Sequence, residues 1–288
     1  ARLAFSSICS AVTAFRFPWD EAPVRPVDAM LVGPAGKRLT VEITFRHFRD
    51  QASGRGMVGG ILRDVSFKKM REKYELLPMA AMQLLAEPED FDSLLGRLAH
   101  LVKRETGVDA VGIRMNRGRE FPFVASAGYD AAFLATESAV SLESESAGEG
   151  GRCGLRCFCG QLLAGAPPEG WLRTPYGTTW TNDVATYLAI TDRNFDDLAC
   201  HRGLLASMVL SPIRVDGTVV GMLKMDCRTA GAFPEDVIPM IEALGAQIGE
   251  SFERVEAERS LRESRRQYAS LITNMPGMVY RYAVEGGW

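Results

Sequence analysis

Apolar positions along the chain change their spacing several times, and each change marks a new element. Leu39, Val41, Ile43 and Phe45 alternate with polar or small residues, the period of a half-buried strand, and the Gly-containing residues 33–36 before them predict a hairpin turn. Ser53, Gly54 and Gly56 lead into a second apolar run at residues 57–65, so the two runs read as the last strands of an antiparallel sheet. From Phe67 the spacing switches to alternating threes and fours through Met70, Tyr74, Leu77, Ala81 and Leu84, the seam of a coiled-coil helix. Pro78 is expected to break or kink that helix near Leu77, because it has no N–H and its ring meets the preceding turn.

A second helix is predicted by the stripe Phe91, Leu94, Leu95, Leu98, Leu101 and Val102, closed by Gly107 as its C-cap. Strands follow at residues 111–115 and 121–127, turned by residues 116–118, and a short helix lies between Asp130 and Ser138. Between Leu142 and Asp197 the Gly, Pro and Ser content rises and periodicity fades, which predicts an irregular, pocket-forming insertion instead of another packed layer. Strands at residues 208–215 and 218–225 are joined by Asp216 and Gly217, a strong hairpin signal. Val237, Ile238, Ile241, Leu244 and Ile248 then form a helical stripe that runs on toward Phe252 and Val255. Over residues 253–266 charges crowd the continuing helix, with Leu261 and Tyr268 seven apart. A solvated face accounts for the charges, and a connecting helix paired with a second subunit accounts for the two apolar residues. Met275, Pro276 and Gly277 end that helix and Met278, Val279 and Tyr280 begin a strand.

Composition narrows the class. The chain has 288 residues, 47% hydrophobic and 24% charged, the balance of an ordinary globular protein. At roughly 100–200 residues per domain this allows about two domains. Lys and Arg total 33 against 36 Asp and Glu, and a net charge of −3 supplies no field to hold nucleic acid or anionic lipid. No apolar run reaches the ~18 residues a membrane span needs, and the N-terminus lacks a basic-then-apolar signal pattern, so the segment reads as cytoplasmic. Ala1 at one end and Gly286, Gly287 and Trp288 at the other read as the ends of a piece cut from a longer protein, whose remainder can carry a membrane segment.

The order of elements carries a resemblance. SMVLSPIRVDGTVVGMLKMDC followed by FPEDVIPMIEALGAQIGESF resembles the last hairpin and closing helix of a GAF domain, spanning residues 89–252. GPAGKRLTVEITFRHFRDQASGRGMVGGILRDVSFKKMRE resembles the C-terminal half of a PAS domain, with its terminal Arg-Asp pair in RDVS, and assigns residues 1–66 to that piece. LRESRRQYASLITNMPGMVYRY resembles the entry of a second PAS domain at residues 268–288. A connecting helix at residues 67–88 and a charged signalling helix at residues 253–267 lie between them, while residues 1–25 match neither family. The expected fold class is therefore α+β, a GAF-type antiparallel sheet with flanking helices, preceded by a partial PAS sheet and joined by long charged helices.

Tandem PAS and GAF modules resemble the sensory half of a bacterial or archaeal signalling protein, usually a histidine kinase. The resemblance implies a homodimer formed through linker helices, a small-molecule ligand in the GAF pocket, and a downstream kinase or other output domain in the same chain. None of His47, His100 and His201 sits in a His-acid dipeptide, and no Gly-rich nucleotide loop is present, so the segment is expected to hold no enzyme. The pocket's part would be to shift the balance between two helix arrangements.

Six cysteines supply the candidate chemistry, three of them in GGRCGLRCFCGQ. Cys157 and Cys159 would point to one side of an extended stretch. With Cys153 and Cys200 they make four thiolates, enough for zinc or an iron–sulfur cluster, although the spacing lacks the usual CxxC pair. A single thiolate can ligate haem iron, while covalent c-type haem needs a CxxCH that is missing. Cys200-His201 resembles the chromophore-bearing pair of phytochrome-like GAF domains, but the following SPI strand comes too early for bilin. Thiol redox chemistry at Cys157, Cys159 and Cys200, beside Arg152 or Arg156, competes with these. It is also the basis of the alternative function, because free methionine-(R)-sulfoxide reductases are GAF domains with three working cysteines in similar regions. Packing as small buried hydrophobes accounts for Cys9 and Cys227 and competes equally for the cluster. Trp180, Thr181, Asn182 and Asp183 are the ligand-pocket candidates, one stacking surface with polar neighbours, against a structural role in which Thr or Asn caps the next helix and Trp fills core. The acidic string at residues 192–197 lacks the arrangement of cyclic-nucleotide-binding GAF domains.

Overall fold

The computed structural model describes residues 26–32, 38–49, 54, 56–142, 152–154, 157–190 and 205–274. Expectations placed on residues 1–25, the turn at 33–36, Cys200, His201, the acidic string at 192–197 and the strand after Met275 lie outside them. The chain divides into two compact units, Ala1–Glu75 and Leu76–Trp288.

In the first unit, β1 (Val27–Val32), β2 (Arg38–Arg49) and β3 (Gly56–Asp64) form an antiparallel sheet in that order. The alternation read from the sequence is realised in β2, where Val41, Ile43 and Phe45 are buried together with Leu31 while Glu42 and Thr44 between them are not. Met30, Ile61 and Leu62 stay exposed. Helix α1 (Ser66–Leu85) starts beside this sheet. Asp64 Oδ1 accepts from Ser66 N at 2.9 Å, and Ser66 Oγ accepts from Thr40 N at 2.8 Å, so the Asp-Val-Ser turn fastens the helix start to β2. Pro78 does not break α1. It lies inside the helix, where its absent N–H deletes a single backbone hydrogen bond and the turns on either side keep theirs.

The second unit is an α+β fold around an eight-stranded sheet. Helix α2 (Phe91–Thr106) is capped by Asp90, which accepts from Ser93 N, and closed by Gly107 at φ 75°, a left-handed position that favours glycine. Its stripe of Phe91, Leu94, Leu95, Leu98, Ala99 and Val102 is buried. Then come β4 (Ala110–Met115), β5 (Glu120–Ala127), α3 (Ala131–Thr136), β6 (Ala139–Ser141), β7 (Arg152–Cys153), α4 (Phe158–Leu163), β8 (Leu172–Arg173), β9 (Thr179–Thr181) and α5 (Val184–Ile190). The hairpin β10 (Ser207–Val215) and β11 (Thr218–Cys227) turns at Asp216 and Gly217, both at positive φ. The sheet order is β7-β6-β5-β4-β11-β10-β9-β8, antiparallel except for the β6–β7 pair.

The expectation of an irregular insertion without packed layers needs correction. β8 and β9 extend the sheet beyond β10, and all six residues of α4 are buried against the sheet. Elements of two, three and six residues are too short to display a period, which is why the pattern missed them.

A 3-10 turn at Glu235–Val237 leads into α6 (Ile238–Asn274), whose first half buries Ile238, Ile241, Leu244 and Ile248. Gly249 lets this helix lie close on β10, because a Cβ there would stand 2.2 Å from Arg214 O. The second half is exposed, Leu261 at 53% and Tyr268 at 67%. Phe91 and Phe252, ring centroids 5.8 Å apart, join α2 to α6.

Candidate functional site

Strand register gives the sheet of the second unit two unlike faces. Val111 and Ile113 of β4, Val209 and Ile213 of β10, and Leu223 and Met225 of β11 share one face with Ser211. Gly245 of α6 approaches Ser211 Oγ, so this face carries the helices. The other face holds Gly112 and Arg114 of β4, Met208 and Leu210 of β10, and Met222, Lys224 and Asp226 of β11. Helix α4, with Cys157, Phe158 and Cys159, covers that second face beside Met208, Leu210 and Met222.

Arg114, Lys224 and Asp226 are fully buried on this face, with Glu137 buried beside Arg114. The Arg114 guanidinium donates to Phe121 O at 2.9 Å and Glu137 O at 2.7 Å, lies 3.9 Å from the Glu137 carboxylate, and sits 3.5 Å over the Phe123 ring centroid. It thereby pins β4 to β5 and to the chain entering β6. Lys224 Nζ donates to Asp226 Oδ2, and Tyr129 Oη donates to the same oxygen at 2.7 Å. Burial, with the neighbouring Asp226 carboxylate second, pushes the Tyr129 phenol well above its ordinary value, so it stays a donor. Gly112 makes room for this arrangement, since a Cβ there would stand 2.4 Å from the Phe123 ring and 3.1 Å from that of Tyr129.

Cys157 and Cys159 are brought together at the start of α4. Cys157 is the N-cap, its Sγ accepting from Gly160 N at 3.1 Å. Cys159 is 1% exposed, and its thiol is hydrogen-bonded to Cys157. That bond first, then burial, raises the Cys159 thiol well above its ordinary value, with Arg114 and Lys224 pulling the other way. The bond to Cys157 and burial hold the Cys159 thiol protonated. Cys153 lies in β7 opposite Val140, and Cys200 is outside the described residues. Among the described residues no group of three or more His, Cys, Asp or Glu side chains is placed to hold a metal ion. Cys227 is buried at the end of β11.

The four pocket candidates do not share a face. Thr181 pairs with Met208 on the cysteine side, whereas Trp180 pairs with Val209 and is directed to the helix side, its buried Nε1 meeting no hydrogen-bond partner among the described residues. Asn182 is engaged at both ends with Phe233, donating to its carbonyl at 2.8 Å and accepting from its N–H at 2.9 Å. Asp183 caps α5, accepting from Thr186 N at 2.9 Å and from Thr186 Oγ1, bonds that hold its carboxyl below the usual value. Sequence reasoning overlooked Arg114, Tyr129, Glu137, Lys224 and Asp226. A signal for two of them was present, since Lys224 and Asp226 interrupt the apolar strand GMLKMDC at alternate positions, where a charge has to be paired if the strand is central.

No family model matches this chain, and no curated protein matches it. Solved structures do resemble it. The free methionine-R-sulfoxide reductase from Neisseria meningitidis in complex with its substrate is 19% identical, with a TM-score of 0.47 over 64% of this chain and 90% of that one. The GAF domain of a phosphoenolpyruvate-protein phosphotransferase from Coxiella burnetii is 11% identical, TM-score 0.47, over 67% and 98%. The GAF domain of A. aeolicus NLH2 in an inactive state is 16% identical, TM-score 0.45, over 64% and 98%. These are likenesses of fold. They correct one expectation: enzymes, the methionine-R-sulfoxide reductases, stand among the similar structures, so the absence of enzyme chemistry from this segment is not upheld. Among the described residues no helix is long and apolar enough to cross a membrane.

Proposed function

We propose that this chain is the sensory module of a signal-transduction protein of the sensor histidine kinase kind. In this reading a GAF-type domain at residues 89–252 stands between PAS-type segments at 1–66 and 268–288. The cysteine face of its sheet receives a small ligand or a redox signal, and the helix that leaves the opposite face carries the change to an output domain, in a homodimer paired along Leu261 and Tyr268. The supporting observation is the division of labour across one sheet. Cys157, Cys159, Lys224, Asp226 and Arg114 crowd one side, and α6 rests on the other and runs on, exposed, for several turns. A change of packing on the first side therefore has a short path to a rigid lever. Hydrogen exchange over residues 253–270 of the purified chain is the direct test. Exchange is expected to differ between thiol-reduced and diamide-oxidised protein and to become insensitive in Cys159→Ser. Identical exchange in both states, with no response to any small molecule screened alongside, overturns the redox and ligand forms of the reading together.

The paired buried thiols favour a second reading, a GAF-type thiol enzyme of the free methionine-(R)-sulfoxide reductase kind. Sulfoxide oxygen would leave as water, taking two protons, while two thiols give up two electrons and join as a disulfide that an external thiol then reduces. Turnover of methionine sulfoxide with dithiothreitol, abolished in Cys200→Ser and Cys159→Ser, is the outcome this reading requires. An absorption spectrum with metal analysis separates both from haem, zinc or iron–sulfur at Cys153, Cys157, Cys159 and Cys200.

A further inference from the structure

The Lys224 ammonium is enclosed on several sides by groups suited to a cation. Asp226, 0% exposed, meets it with Oδ2. Tyr129 Oη lies 3.3 Å away, and the rings of Tyr129 and Phe133, stacked 4.6 Å apart at 10°, present their π systems 5.2 and 5.6 Å from Nζ. Among the described residues no donor reaches the buried Asp226 Oδ1. A carboxylate, a phenol oxygen and a stacked aromatic pair, both ring centroids within 6 Å of one point, form a recognition cage for an alkylammonium group. Stability alone does not explain the arrangement, because a buried ion pair is generally no better than two apolar residues of the same volume.

We propose that Lys224 is a specificity residue: its own ammonium occupies this cage and closes it to any ligand that would place an amine there. The inference deepens the reading of the cysteine face as a ligand site and depends on it only for its biological use. A second ammonium beside Nζ meets like charge in a low-dielectric setting, so ligands of this face are neutral or anionic at the end nearest Asp226. Free amino acids offering an ammonium to that point are disfavoured.

The test is chemical rescue. Lys224→Ala removes Cγ, Cδ, Cε and Nζ, the heavy atoms of n-propylammonium, and n-propanol is the neutral molecule of the same shape. Melting temperature of the whole chain is measured against each additive. Lys224→Ala is expected to gain stability saturably with n-propylammonium and not with n-propanol. The wild type should show neither response, and Lys224→Ala combined with Asp226→Asn should lose the gain. Equal stabilisation by n-propanol shows a mere apolar void and overturns the cage. So does an equal propylammonium response in the wild type. Where Lys224→Ala does not fold unaided, the yield of folded protein on refolding with and without n-propylammonium is the readout, and no recovery overturns the proposal. None of these outcomes depends on the exchange of residues 253–270, so the cage and the sensory reading fail separately.

Discussion

The two faces of one sheet are both buried, yet they are built on different principles. On the helix face, Val111, Ile113, Val209, Ile213 and Leu223 are 0% exposed and wholly apolar, and α6 comes close enough that glycine is needed at 249. On the cysteine face, Arg114, Lys224 and Asp226 are just as buried, and every one is held by partners from other strands or turns. Apolar burial is non-directional and forgiving of local rearrangement, whereas a buried charge needs its partner in place. The lesson is that the helix face can serve as a support while the cysteine face is the part whose energy depends on chemical state. Charged and titratable groups therefore concentrate where the fold is most sensitive to a change of charge.

That contrast can be broken at its strongest point first. Asp226→Ala leaves the Lys224 ammonium buried without its carboxylate and is expected to cost about 3–5 kcal/mol in urea unfolding. Replacing both, Lys224→Met with Asp226→Leu, should recover most of that loss; a double variant as unstable as the single one would show that the pair is not what the face depends on. On the helix face, Leu95→Ala deletes fully buried methyl groups from α2 and should cost about 2–5 kcal/mol through the cavity it leaves, with no dependence on pH between 6 and 8.

Alkali should separate the faces further. Folding holds protons on Cys159 and Tyr129 that the unfolded chain gives up, since both groups titrate above their ordinary values of 9.0 and 10.0. The folded state then binds more protons than the unfolded one as pH climbs past those values, so stability falls there and is complete below them. Urea midpoints measured from pH 8 to pH 11 should decline, and the decline should shrink in Cys159→Ser and Tyr129→Phe. The smallest effect belongs to the exposed end of α6. Leu261→Ala and Tyr268→Ala should change stability by less than about 0.5 kcal/mol, and the proposed sensory role requires that the same variants abolish signal-dependent output. Unchanged output would remove the helix from the signalling route.

Much of the framework was legible because it rests on local rules. The α2 stripe with its Gly107 cap, the alternation in β2 and the Asp216-Gly217 hairpin each depend on residues within a few positions of one another, and all were found where expected. Pro78 does not end α1, since one missing N–H does not outweigh the hydrogen bonds of the turns around it. The short elements β8, β9 and α4 escaped because they owe their existence to a sheet edge and a covered face, not to their own propensity.

At the candidate site the division is sharper. The sequence by itself determined that Cys157 and Cys159 are near neighbours, but the extended stretch expected to hold both sulfurs on one side is instead the N-cap and first turn of α4. Only the tertiary structure decided what meets them. Tyr129, Arg114, Lys224 and Asp226 come from segments far apart in the chain, 97 positions in the Tyr129–Asp226 bond, and converge through the register that sets Gly112 opposite Lys224. Register likewise turned Trp180 to the helix side while leaving Thr181 on the cysteine side. Side chains alternate along a strand with period two, so a one-residue shift in pairing would exchange the faces; composition and spacing do not record that shift, and the packed sheet does.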